Sequence, residues 1–144
     1  MMQALGGDRA VPALSSSLGE LSHALRALHK ALLEAELDNF PMARSTFDRL
    51  ALVVEHPSFA WLHALSELIV EFDELADSDS AAVPTLQHCR DAVERLLGPA
   101  PASNANFRSR YLEYLQLAPE VAIATGAVRQ LLAAPAQAGG SRPR

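Results

Sequence analysis

The sequence is short of most features that staple, target or metallate a small protein. Its 144 residues hold a single cysteine, Cys89, which excludes an internal disulfide and a cysteine zinc site and fits a reducing compartment. Long apolar runs are missing: no window reaches about 18 uncharged apolar residues, so no bilayer-spanning helix is expected. A targeting leader is not expected either, because residues 1–7 carry no base and no apolar stretch follows before Asp8 and Arg9. Positive charge is scarce. Twelve Lys and Arg face 17 Asp and Glu, for a net charge of −5 and a pI near 5.5. That balance argues against a protein that neutralises nucleic-acid phosphates. These shortages predict a cytoplasmic protein with neither a nucleic-acid nor a membrane partner.

What is present is apolar and helical. Hydrophobic residues make up 49% and charged residues 20%, the composition of a globular chain. A chain of this length buries roughly 68–70% of its unfolded surface, enough for one domain with a real core. Arginine outnumbers lysine, with Lys30 alone of its type; we read that bias as genome composition rather than binding chemistry. The dominant hydrophobic period is helical, no segment alternates with period two for more than a few residues, and no internal repeat is found. Residues 1–14, with Gly6, Gly7 and Pro12, and residues 133–144, rich in Ala, Gly and Pro, are expected to be disordered ends around a bundle domain at 15–132.

The fold class this predicts is all-α, a single-domain bundle of five or six mostly antiparallel helices. Helix one runs from about Ser16 to Asn39, with Ser15, Ser16 and Ser17 as N-caps and Ser17–Glu20 as a capping box. Leu18, Leu21, Leu25, Leu28 and Leu32 follow three-four spacing, the seam of a bundle. Helix two covers about 45–55, with Phe47, Leu50 and Val54 facing inward. His56-Pro57-Ser58 opens helix three, in which Trp61, Leu62, Leu65, Leu68, Ile69, Phe72, Leu75 and Ala76 share an apolar arc wide enough for two neighbours. That arc marks helix three, residues 57–76, as the core helix. Helix four, about 81–97, turns Leu86, Cys89, Val93, Leu96 and Leu97 inward and stops at Gly98-Pro99. Helix five, capped by Ser103 or Asn104, presents Phe107, Tyr111, Tyr114 and Leu115. Helix six, after Pro119, presents Val121, Ala124, Val128, Leu131 and Leu132.

The run His56-Pro57-Ser58-Phe59-Ala60-Trp61-Leu62, continuing through Leu65-Ser66-Glu67-Leu68-Ile69-Val70, resembles small uncharacterised all-helical proteins of bacteria. So does Asn106-Phe107-Arg108-Ser109-Arg110-Tyr111 with the later Pro119-Glu120-Val121 and Ala127-Val128-Arg129. That group has no known activity, so the resemblance implies a shared fold and no catalytic residues.

Candidate chemistry is thin. Glu20-Leu21-Ser22-His23 is the one Glu-x-x-His motif, where a di-iron bundle needs two, and both its polar residues lie opposite the leucine seam. His63 and Glu67 are spaced as a helical histidine–carboxylate pair, without the further histidine pairs a metal or haem site requires; His29 sits where it can approach His63 or His88. A calcium loop read from Asp73 puts Leu75 at a ligand position, and one read from Asp77, through Asp79, puts His88 where a bidentate Glu belongs. Cys89 points inward, and His88 beside it is turned too far around the helix to activate a thiol. No metal, cofactor or catalytic residue is therefore assigned, and the reading leans away from an enzyme.

Charge is less evenly spread. Residues 67–79 hold six acids, Glu67, Glu71, Asp73, Glu74, Asp77 and Asp79, and no base, whereas residues 80–144 hold seven Arg against four acids. Glu67, Glu71 and Glu74 are therefore either covered by Arg90, Arg95, Arg108 or Arg110 or left as a docking face for a basic partner. The leading expectation is a non-enzymatic protein-interaction module that self-associates through the helix-one seam, its protein partner unidentified. The alternative is a small-molecule or cofactor binder with a pocket between helices three and five, lined by Phe72, Tyr111 and Tyr114 with His63 nearby.

Overall fold

The computed structural model describes the backbone of residues 2–77, 83–98 and 105–133 and the side chains of residues 17–77, 86–98 and 105–133. These residues form six α-helices and no strand. They are α1 Met2–Leu37, α2 Thr46–Glu55, α3 His63–Ala76, α4 Val83–Leu97, α5 Ala105–Leu117 and α6 Pro119–Ala133, with a 3-10 helix at Pro57–Leu62 leading into α3. The architecture is the all-α bundle that the helical period predicts.

α1 begins at Met2 rather than near Ser16, so helical backbone extends through most of the segment expected to lie outside the domain. Ser15, Ser16 and Ser17 are interior helix positions and not N-caps. An N-cap needs non-helical backbone angles, and a helix once nucleated extends by another residue at little cost. The 133–144 tail lies outside the described residues apart from Ala133.

From Leu18 onward α1 is the hub. Leu18, Leu21, Leu25, Leu28 and Leu32 are buried, with α3 and α6 as the main partners and α4, α5 and the 3-10 helix against the flanks. Each buried leucine contributes about 1.5–3 kcal/mol of transfer free energy, so this row alone is a large share of the core. The seam expected to drive self-association is thereby spent within the chain.

Residues 57–76 are expected to form one continuous helix, and their first six residues wind as 3-10 instead. His56 caps them, its Nδ1 accepting the Ser58 N–H at 3.1 Å, and Pro57 takes the first position. The tighter winding turns Phe59, Trp61 and Leu62 into the core together. α3 then buries Leu65, Ile69 and Phe72 at four- and three-residue spacing, against α1 and α4. The row Trp61, Leu65, Ile69 and Phe72 is thus in the interior as predicted, although α1 and not α3 is the element most others touch.

The remaining helices close the bundle. α4 buries Leu86, Cys89, Val93, Leu96 and Leu97. Gly98 ends it: its N–H reaches the Glu94 carbonyl at 2.7 Å, and a Cβ there would meet that oxygen at 2.5 Å. α5 and α6 pack together, with Phe107, Tyr111, Val121 and Val128 buried, and the Tyr111 hydroxyl lies 3.0 Å from Thr125 Oγ1. The expected turn at 78–80 and the caps Ser103 and Asn104 lie outside the described residues.

α2 departs from expectation. Ser45 caps it, accepting the Asp48 N–H at 3.0 Å. Yet Phe47, Leu50 and Val54 face outward rather than inward, and no residue of the helix is fully buried. At about 100° per residue, Leu50, Val54, Phe47 and Ala51 form one apolar arc, while Leu52 and Val53 stand apart from it on either side of Arg49, on the more polar remainder of the helix. The side that docks is therefore not the side that spacing selects. Leu52 and Val53 are the residues that reach the core.

Candidate functional site

The outer side of α2 is the most conspicuous apolar surface among the described residues. Phe47 is 79% exposed, Leu50 59% and Val54 73%, at positions i, i+3 and i+7 of one stripe, and Met42 in the preceding loop is 90% exposed. The other exposed large apolar side chains, Val70, Leu112, Leu117 and Ile123, are spread over α3, α5 and α6. Scattered exposure is ordinary; a contiguous patch on a single short helix is a candidate contact surface. Beside the stripe, a groove of about 740 Å³ opens between the 40–43 loop and α2, with Phe40, Pro41, Ala51 and Leu52 in its wall and Asp48 and Glu55 at its edge. Arg49 is held by Glu34 at 2.9 Å, while Arg44 and Glu55 are exposed and have no ion-pair partner among the described residues.

The acidic face expected on helix three is exposed, but arginines do not cover it. Glu67 pairs with His63 at 3.0 Å, Glu71 approaches His88 at 4.0 Å, and Glu74 has no partner among the described residues. Asp73 takes the cation instead: Arg26 of α1 pairs with it, and the Ser22 hydroxyl donates to it at 2.5 Å. Arg110 turns to Glu36, Arg129 faces Glu94 at 3.7 Å, and Arg90 and Arg108 donate to the carbonyls of Leu131 and Arg95.

Of the residues expected to line a pocket between helices three and five, His63 alone borders one of the described cavities. Phe72 and Tyr111 are fully buried in close packing, Tyr114 stacks on Trp61, and His63 is on the surface with Glu67. The main neighbours of α3 are α1, α4 and the 3-10 helix, and those of α5 are α6, α4 and the 3-10 helix. His63 does share a surface depression with His29, and the His29 ring nitrogen lies 2.9 Å from Ser66 Oγ. Burial lowers the His29 pKa below its ordinary value of 6.5.

Glu36 is the polar centre that sequence reasoning misses. It is 2% exposed, and its Oε1 accepts from Arg110 Nη2 at 2.6 Å, the Tyr114 hydroxyl at 3.0 Å and Trp61 Nε1 at 3.2 Å. Asn39 Nδ2 reaches Oε2 at 3.3 Å and the Tyr114 oxygen at 3.1 Å. The Arg110 guanidinium also lies 5.8 Å from the Trp61 and Tyr114 ring centroids. One carboxylate thus ties α1 to the 3-10 helix and to α5. Burial first, and the bond to Glu36 second, raise the Tyr114 pKa; that same carboxylate raises the Arg110 pKa. Every donor around Glu36 is satisfied internally, the arrangement of a structural clamp. One signal is local: Glu36 stands four residues after Leu32, an acid on the leucine row.

The remaining candidates are dispersed. Glu20 and His23 are exposed, Asp77 is exposed at the end of α3, and Asp79 lies outside the described residues. Among the described residues, no three His, Cys, Asp or Glu side chains are grouped to hold a metal ion. Cys89 is buried, and burial together with the Glu71 charge pushes its thiol up to about 11, far from the thiolate a nucleophile needs. No described helix is long and apolar enough to cross a membrane.

No family model matches the chain, and no curated protein or solved structure shows significant similarity to it. The likeness of residues 56–70 to bacterial helical proteins therefore assigns no family.

Proposed function

We propose that this is a cytoplasmic, non-enzymatic protein-interaction module whose docking element is the outer face of α2. The supporting observation is the exposed stripe Phe47, Leu50 and Val54 with Met42 beside it. The apolar arc of an amphipathic helix is ordinarily the side buried against the core. Here α2 meets the 3-10 helix, Leu52 and Val53 reach the core, and the arc of Phe47, Leu50 and Val54 is left to water, which is costly unless a partner covers it. The clamp at Glu36 fixes the 3-10 helix, the element that α2 packs against.

A photo-crosslinking residue placed at Leu50 and, as a control, at Ile123 on α6 tests this in the native cell. Both sites are exposed and apolar. Protein adducts are expected from position 50 in clear excess over position 123; equal yields from the two sites overturn the reading.

A further inference from the structure

Resting on that reading of α2, we infer that the face is closed by a second copy of this chain, α2 against α2 in antiparallel register about a two-fold axis beside Leu50. The argument is complementarity of charge and of shape. Asp48, Ala51 and Glu55 succeed one another at three- and four-residue spacing along one flank of the apolar stripe, and Arg44 stands two residues ahead of the helix at its N-terminal end. When two identical helices pack antiparallel, like flanks meet and run in opposite directions. Arg44 of one copy then faces Glu55 of the other, and Asp48 faces Ala51, so no two like charges are opposed. At about 1.5 Å rise per residue, the axial offset between Arg44 and Glu55 is within an arginine side chain's reach. Both ends of this pair are exposed and have no ion-pair partner among the described residues, as a two-fold pair across copies requires.

Shape agrees. One surface carries both a projecting side chain, Phe47, and a groove along the same flank, the self-complementary pattern of an isologous contact. In this register Phe47 lies opposite the C-terminal half of the second copy's α2, where Ala51, Leu52 and Glu55 edge that groove. The leucine seam of α1 plays no part, because it is buried inside each copy.

Sedimentation equilibrium of the purified full chain tests the inference by charge exchange. The wild type is expected to dimerise with a dissociation constant in the micromolar range, as suits a small patch. Arg44→Glu and Glu55→Arg each oppose like charges at two symmetric places and are expected to weaken the dimer about tenfold. The double exchange R44E/E55R restores the pair and is expected to return within about threefold of the wild type. Phe47→Glu is expected to leave a monomer with an unchanged far-ultraviolet spectrum, since position 47 is outside the core. A wild type that stays monomeric to about 1 mM overturns the inference, as does a double exchange no tighter than the singles. If the chain is monomeric while the Leu50 crosslinker captures a different protein, self-pairing fails and the docking reading stands.

Discussion

Replacing Glu36 by alanine removes an acceptor shared by three donors on two other elements. Two of those donors, Trp61 Nε1–H and the Tyr114 hydroxyl, are buried, and each left without an acceptor costs about 1–3 kcal/mol. Arg110 is 36% exposed and can turn to water, so its share is smaller than that of a fully buried ion. The expected loss is about 3–4 kcal/mol, out of the roughly 5–15 kcal/mol that holds a domain together. Glu36→Gln keeps a carbonyl for two donors but sets an amide NH2 against Asn39 Nδ2, so about 2 kcal/mol is expected. Urea unfolding followed by Trp61 fluorescence measures both, because the only tryptophan is itself part of the clamp. A double-mutant cycle with Arg110→Ala isolates the ion pair, at about 1 kcal/mol of coupling. A Glu36→Ala loss below about 1 kcal/mol would refute the claim that this carboxylate fastens α1 to α5.

Two further outcomes follow from groups whose titration the fold shifts. Cys89 holds its proton in the folded chain to about 11, against 9.0 ordinarily, so the folded state binds more protons than the unfolded one between those values. Its contribution is intact below pH 9 and is lost as pH rises toward 11, with Tyr114 acting in the same direction above its ordinary 10.0. Unfolding midpoints at pH 8 and pH 10 should therefore fall in the wild type and fall less in Cys89→Ala; equal declines defeat the assignment. His29 has the opposite sense, because burial lowers its pKa from 6.5 and the unfolded chain takes up the proton first on acidification. Its share of stability is present above pH 6.5 and diminishes below it, so His29→Gln should flatten the stability slope between pH 7.5 and 5.5, and an unaltered slope counts against burial as the cause.

Much of the bundle is legible because three-four spacing carries the same information in sequence and in space. The rows Leu18–Leu32, Leu65–Ile69–Phe72 and Leu86–Cys89–Val93 are read from spacing and are found buried. Boundaries are less legible. Ser15–Ser17 have the chemistry of caps, but capping depends on backbone angles that spacing does not specify, and the 3-10 winding after Pro57 preserves the order of apolar residues while changing their pitch. Glu36 is hidden for a different reason. A buried acid is tolerated only where donors converge, and its donors Trp61, Arg110 and Tyr114 come from positions far along the chain. Its place on the leucine row marks it as odd, but nothing local announces those donors.

α2 shows where periodicity runs out altogether. Helical spacing picks the side of α2 with Phe47, Leu50 and Val54, whereas the side that docks carries Leu52 and Val53 with Arg49 between them. The larger side chains are then the ones left outside. Sequences under no constraint to bind lose such side chains readily, since exposing them adds nothing to folding and promotes non-specific association. The mismatch that misleads a reading of α2 as a core helix is therefore the physical ground for treating it as a docking helix: the apolar face its sequence builds is the one this fold leaves uncovered.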